Sequence, residues 1–448
     1  MSEDVGEDMH GNIAVNEAGQ RYMVYNPGQT ITFIPLYYVA NFVTSDEAKA
    51  YYFSAFFVSF LNYMVHAICA FLLFKIALLL GASKKQSYLA SIFFGITSYS
   101  FVFAQSTYEH HFEMLFILLS AYFALNKNTN HSGFLSGLML SCGLVFRTTT
   151  ILALPAILVL ERNNKERFRT LISLISGVFF VLFYNYYRFG DPLESGYSLA
   201  WSLANSDSFS FWSLSRIPLA FFGLLFSPGK GILFFSTTII LSFLGIKVFF
   251  KKQRRVFYSV LLVSTVYLGT FSMNFAWHGS IWSYGPRYIL PIIPFLYLPI
   301  IYLKPKKWVF VMLLLAFIFQ VELISVNYKR DVLSDYIKNN ELTDTAYLFS
   351  IEKEPHLAQA KQLAIILPKN FGELNNYQPN FAWKREIRTV SNTEVINSSI
   401  EKNAVNFWWI RIFHWKISFL SRVFSILILF IGVIGAHFIF QYVKKEFV

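Results

Sequence analysis

Residues 51–80 hold one formally charged side chain, Lys75, in a run made mostly of apolar and aromatic residues. Such a run can cross a hydrocarbon layer as one helix, for which about 20 apolar residues suffice. It constrains the rest of the chain because similar runs recur at 88–103, 112–125, 133–146, 148–160, 170–187, 232–250, 256–275, 288–303, 308–325 and 417–442. Only 14% of the residues are charged and 55% are hydrophobic, whereas roughly 25% are charged in soluble domains. No water-soluble fold of this size has an interior for so much apolar surface. The expected fold is an all-α polytopic membrane protein with about eleven membrane helices, some of them short.

The net charge of +12 does not imply a nucleic-acid partner. The basic residues stand in short clusters between apolar runs: Lys84-Lys85, Lys127, residues 162–169, Lys251-Lys252 with Arg254-Arg255, Lys304 with Lys306-Lys307, and Lys444-Lys445. Clusters of that kind set membrane topology from the cytoplasmic side. If all of them are cytoplasmic, residues 133–160 must cross twice, and Arg147 marks a turn on the outer side. The same scheme divides the chain into an external N-terminal loop (1–50), a transmembrane core (51–325), an external capping region (326–416) and a last helix with a basic tail (417–448). It places 104–111, 188–230 and 276–287 outside as well. An outer N-terminal loop with no apolar segment ahead of it is hard to translocate, so a further helix upstream of Met1 is expected. Within that loop, residues 25–42 read as a Gly/Pro turn and an apolar stretch too short to span, lying along the membrane surface or re-entering it. Cys69 and Cys142 sit inside apolar runs and read as packing, not as a disulfide framework.

The chemistry-bearing residues collect in the outer segments. Channels and pumps place ionisable groups at mid-membrane, so this distribution points to chemistry at the outer boundary. In "STYEHHFEM", Tyr108, Glu109 and His110 form a tight turn suited to catalysis or substrate contact. A divalent metal is possible there but not indicated. Arg147, followed by three threonines, reads as facing an anion. Arg188 and Asp191 stand at the exit of an apolar run, in a Gly-Asp-Pro turn. Lys230 lies in "SPGKGI", which lacks the Ser or Thr of a magnesium-binding phosphate loop and reads as a turn presenting the lysine at a helix mouth.

The segment "NFAWHGSIWSYGPRYILPIIPF" (274–295) has a definite physical reading. Pro286 suits the first turn of a helix, whose free N–H groups would attract an anion. Arg287 adds a two-pronged donor for phosphate. Pro291 and Pro294 remove backbone hydrogen bonds, which membranes tolerate only where protein or a wet cavity satisfies the carbonyls. Trp277, His278, Trp282, Tyr284 and Tyr288 offer surfaces for a sugar or a lipid, although an interfacial aromatic belt accounts for the rings equally well.

Taken in order, "RFGDPLESGY", "LFSPGKGI" and "WHGSIWSYGPRY" with its following prolines resemble bacterial membrane glycosyltransferases of the C-type superfamily, similar to protein O-mannosyltransferases and the aminoarabinose transferases of lipid A. "GQRYMVYNPGQTITFIPLYY" looks like the first external loop of that family. The resemblance covers roughly residues 19–299. It implies a polyprenyl-phosphate-linked sugar donor, no nucleotide, and a lipid, glycan or protein acceptor met at the outer face of the cytoplasmic membrane. It also implies an acidic residue in the first external loop as general base, with arginines or lysines holding the phosphate. Here the chain departs from the family, whose acid follows a first spanning helix that is absent. Either Asp4 or Asp8 serves, or the acid lies upstream.

The expected site therefore comprises Asp4, Asp8 and Glu109 for catalysis, and Arg147, Arg188, Lys230 and Arg287 for phosphate. Tyr108, His110, Asp191, Trp277, His278, Trp282 and Tyr284 are the expected sugar or lipid contacts. A transporter or flippase for a lipid-linked saccharide, or a surface-polysaccharide polymerase or ligase, would use much of the same set.

Overall fold

The computed structural model describes residues 13–126, 128–202, 211–279, 283–304, 306–326, 348–351 and 354–369, with scattered positions between 405 and 441. The chain opens with a small antiparallel hairpin, β1 (Ile13–Val15) and β2 (Arg21–Met23). Helices follow: α1 (Gly28–Val43), α2 (Glu47–Leu79), α3 (Lys84–Thr97), α4 (Tyr99–Phe103), α5 (His110–Leu125), α6 (Ser132–Phe146), α7 (Leu154–Leu160), α8 (Asn164–Phe189) and α9 (Tyr197–Ser202). The second half contains α10 (Ile217–Phe226), α11 (Ile232–Phe235), α12 (Ile240–Lys252), α13 (Arg254–Met273), α14 (Ile293–Leu296), α15 (Lys307–Ser325) and α16 (Pro355–Lys369).

Among the described residues, four helical stretches are long and apolar enough to cross a membrane: Phe53–Leu79 within α2, then α8, α13 and α15. Their outward faces carry large apolar side chains, such as Phe179 and Phe183 on α8 and Leu314 and Ile318 on α15. A helix with apolar residues on its exposed side has lipid as its solvent, and the protein is membrane-embedded. The other expected spans up to residue 303 take the form of shorter apolar helices or broken ones.

The breaks have local causes. Residues 88–103 do not form one helix, because Ser98 is extended and separates α3 from α4. Ser236, also non-helical with φ −140° and ψ 57°, breaks the 232–250 run. The two breaks meet: Tyr99 N donates to Ser236 Oγ at 3.0 Å, and Gln320 Nε2 donates to Thr97 O at 3.3 Å and Phe235 O at 3.0 Å. Thr238 bridges the Thr97 and Tyr297 hydroxyls at 2.7 and 2.8 Å. Freed backbone groups are thus satisfied inside protein, as lipid requires.

Residues 133–160 double back at Arg147, which is extended between α6 and the 3-10 turn Thr148–Ala153. Thr170 Oγ1 touches both ends of the hairpin, Gly133 O at 3.0 Å and Glu161 Oε1 at 3.1 Å. The turns flanked by basic clusters share that end. Gln253 Nε2 donates to Leu80 O at 2.7 Å, Arg255 donates to Leu160 O, and Lys252 Nζ lies 5.4 Å from the Tyr302 ring. Glu109, Arg147 and Arg287 lie at the opposite end.

One expectation is corrected. Residues 188–230 are not one external loop, since Leu214–Phe226 is an apolar helical segment packed on α13. Residues 25–42 contain a helix, α1, whose exposed face is apolar, with Phe42 94% exposed, in line with an apolar stretch too short to span. In the expected capping region, α16 packs on the end of α15, where Ile366 meets Val326. Most of 326–416 and of the last helix lies outside the described residues.

Candidate functional site

The turn between α4 and α5 brings Glu109 to the start of α5, and Glu113 follows one helical turn later. Arg147, at the end of α6, reaches both carboxylates. Its Nη1 lies 2.6 Å from Glu109 Oε1 and its Nε 3.1 Å from Glu113 Oε2. All three side chains are largely buried, at 12%, 6% and 1% exposure for Arg147, Glu109 and Glu113. Glu113 Oε1 also accepts from Thr149 Oγ1 at 2.7 Å and Tyr267 Oη at 2.8 Å. Burial alone would lower the Arg147 pKa, but Glu109 and then Glu113 offset it and raise the value above the ordinary range. Arg147 does face anions, but those in the structure are the carboxylates of Glu109 and Glu113, where phosphate was expected.

Arg287 is the contrasting case. Its guanidinium carbon lies 4.6 Å from the Tyr108 ring centre and 5.0 Å from that of Tyr288. Nη2 donates to Tyr288 Oη at 3.3 Å, while Nε is buried with no hydrogen-bond partner. No described carboxylate lies within ion-pair distance of it. Gly279 makes the approach possible: it has a positive φ of 76°, and a Cβ there would sit 2.6 Å from Arg287 Cγ. Arg147 lies on the same ring, 5.8 Å from the Tyr288 centre, so one tyrosine separates a carboxylate-bound guanidinium from one without a carboxylate.

The helix-start anion site expected at Pro286 is not present. Residues Arg287–Ile292 form a six-residue 3-10 helix, and the N–H groups of Arg287 and Ile289 donate to Gly285 O and Pro286 O at 3.1 Å each. Pro291 and Pro294 deny the segment an α-helical ladder, and the tighter form uses its own first donors. Tyr99 Oη also donates to Pro286 O at 3.1 Å.

The hairpin and Tyr25 pack over this cluster. Asn26 Nδ2 donates to Leu144 O at 2.8 Å, and a Cβ on Gly28 would meet Phe146 Cγ at 2.7 Å. Tyr25 and Tyr197 meet edge-on at 6.4 Å. Burial first, and the Glu109 charge second, push the Tyr25 phenol up to about 12.

Other expected site residues have structural duties. Arg188 is buried and donates to Met23 O at 2.7 Å and Asn185 Oδ1 at 2.9 Å, with Tyr184 4.1 Å below its guanidinium. These contacts tie the hairpin to α8, while its Nε is buried without a hydrogen-bond partner. Asp191 is exposed and closes its own turn by accepting from Leu193 N at 2.8 Å. Lys230 is fully buried and donates to Ser283 O, which corrects its placement at an open helix mouth. Trp277 is buried against Gly223, His278 packs edge-on to it at 5.5 Å, and Tyr284 Oη donates to Leu323 O at 2.8 Å. Asp4, Asp8 and Trp282 lie outside the described residues.

The structure thus brings together Tyr108, Glu109, His110, Arg147 and Arg287 from the expected set. Tyr288, whose ring the sequence already offered as a sugar or lipid surface, joins them, and the structure adds Tyr25, Glu113, Tyr197 and Tyr267. Glu113 carried a sequence signal, a carboxylate near the start of an apolar helix, whereas the tyrosines are hidden among 26 in the chain. Among the described residues, no group of three His, Cys, Asp or Glu side chains is arranged to hold a metal ion. No protein-family model matches the chain, and no curated protein or solved structure shows significant similarity to it.

Proposed function

We propose that the chain is an integral-membrane glycosyltransferase that takes its sugar from a polyprenyl-phosphate donor. The observation that carries this reading is Arg287, part-buried between two tyrosine rings, with no described carboxylate within ion-pair distance and with Nε unpartnered. A guanidinium drawn partly out of water without an anion is unfavourable, and its planar, two-pronged fork matches two oxygens of a phosphate, which supplies the missing charge. The site lies at the end of the bundle opposite the basic turns, which the positive-inside tendency assigns to the outer face.

In the reaction, the acceptor hydroxyl oxygen attacks the anomeric carbon of the donor. The carbon–oxygen bond to phosphate breaks, and the phosphate leaves with the electron pair. Arg287 stabilises that charge as it develops. The hydroxyl proton passes to a carboxylate. Glu109 is suited to this, because Arg147 holds its Oε1 while its Oε2 has no hydrogen-bond partner among the described residues. Asp4 and Asp8 keep the alternative base role that the family resemblance gives them. The acceptor is a lipid, glycan or protein hydroxyl.

The test is sugar transfer from a radiolabelled polyprenyl-phosphate sugar in membranes, comparing wild type with Arg287→Ala, Glu109→Gln, Asp4→Asn and Asp8→Asn. Transfer by the wild type, lost in Arg287→Ala and in one carboxylate variant, is the expected result. Movement of intact donor across the bilayer without sugar release would identify a flippase and defeat the enzyme reading.

A further inference from the structure

His110 is 1% exposed, and neither ring nitrogen has a hydrogen-bond partner. Buried polar atoms in native proteins are almost always paired, and leaving them unmet is costly. An imidazole at the first position of an apolar helix therefore needs a partner that the described residues do not supply.

Its surroundings define that partner. The ring meets Tyr108 edge-on at 5.9 Å and lies tilted over Tyr288 at 5.9 Å, with Phe103 closing a third side at 5.7 Å. Arg287 stacks on the same two tyrosines. The imidazole and that guanidinium thus share one aromatic cage, and each brings an unpartnered nitrogen to it. The charged groups acting most strongly on His110 are Arg147 and Arg287, both cations. Arg147 is held by Glu109 and Glu113, which leaves Arg287 and His110 as the two groups without an acceptor. Tyr108, Arg287 and Tyr288 are partly exposed, so a ligand approaches from their side.

We infer that His110 is the second donor to the anion held by Arg287, so that a phosphate ester is gripped by guanidinium and imidazole within the Tyr108–Tyr288 cage. This rests on the phosphate role proposed for Arg287 and adds the group that completes it. A carboxylate ligand would satisfy the guanidinium equally well, whereas a tetrahedral phosphate has further oxygens left for the imidazole.

The experiment titrates the purified full chain in nanodiscs with farnesyl phosphate and, separately, with inorganic phosphate, by calorimetry. His110→Phe keeps the aromatic cage and removes the donor, and His110→Gln keeps an N–H donor. Wild type binding weakened about tenfold in His110→Phe, a single hydrogen bond on the affinity scale, and largely retained in His110→Gln, is the expected result. Binding of farnesyl phosphate alone supports a lipid-borne anion, and binding of both probes supports phosphate from either source. If His110→Phe binds as well as wild type, the inference is overturned and Arg287 stands. If wild type binds neither probe, both readings fall. Spectra of 15N-histidine protein give a readout that does not depend on the Phe variant folding. A ring signal absent in His110→Gln should move on adding farnesyl phosphate, and a stationary signal overturns the inference.

Discussion

Arg147 and Glu109 meet at 2.6 Å, with exposures of only 12% and 6%, and Glu113 holds the same guanidinium from its other edge. One cation therefore serves two carboxylates. Arg147→Ala leaves both acids buried without a counter-charge and should cost about 3–5 kcal/mol, the usual penalty for breaking a buried pair. Glu109→Gln leaves the Glu113 contact in place and should cost less. Thermal unfolding in detergent checks the order, and equal melting temperatures for the two variants would contradict it.

Arg287 behaves differently, since no described carboxylate depends on it. Arg287→Ala should leave folding nearly unchanged and lower sugar transfer by about 10²–10³, the loss seen when a charge-stabilising donor is removed. Arg287→Lys should not restore it, because an ammonium lacks the planar fork. The check is transfer rate at saturating donor, with melting as a folding control.

The Tyr25 phenol, pushed up to about 12 by burial and by Glu109, makes stability depend on pH in the alkaline range. The unfolded phenol ionises near 10. Below that value both states are protonated and this group's contribution is constant. Between about 10 and 12 the unfolded state loses the proton first, so stability falls as pH rises. Chemical unfolding measured from pH 9 to 12 should show a shallower fall in Tyr25→Phe than in wild type. Identical slopes would place Tyr25 in water.

Packing against a second 3-10 helix, Leu298–Tyr302, is tight enough to test with one methyl group. Gly245 lies against Pro299 O so closely that a Cβ would collide with the carbonyl. Gly245→Ala should destabilise by about 1–3 kcal/mol through overpacking, whereas Gly269→Ala, with open space around its Cβ position, should not. Comparative melting of the two variants decides it.

The basic turns and the Glu109–Arg147 pair occupy opposite ends of the bundle. In a background with Cys69 and Cys142 replaced, Lys84→Cys and Lys252→Cys should react with an impermeant thiol reagent from one side of sealed vesicles. Asp191→Cys should react from the other. Labelling of all three from one side would refute the arrangement.

Membrane embedding and the doubling back at Arg147 were legible in the sequence, because lipid imposes a coarse rule of apolar length and places basic clusters on one side. The breaks at Pro291 and Pro294 were legible for a similarly local reason: proline cannot donate. Tyr108, Glu109, His110, Arg147 and Arg287 could be named from the outer turns they occupy. Their relations could not. Whether a guanidinium meets a carboxylate or only aromatic rings depends on contacts between residues as far apart as Glu109 and Arg147, and side-chain type carries no information about such contacts. Tertiary structure alone assigned the carboxylates to Arg147, left Arg287 on Tyr108 and Tyr288, turned Arg188 and Lys230 inward to backbone carbonyls, and enclosed His110 beside the arginine that lacks an anion.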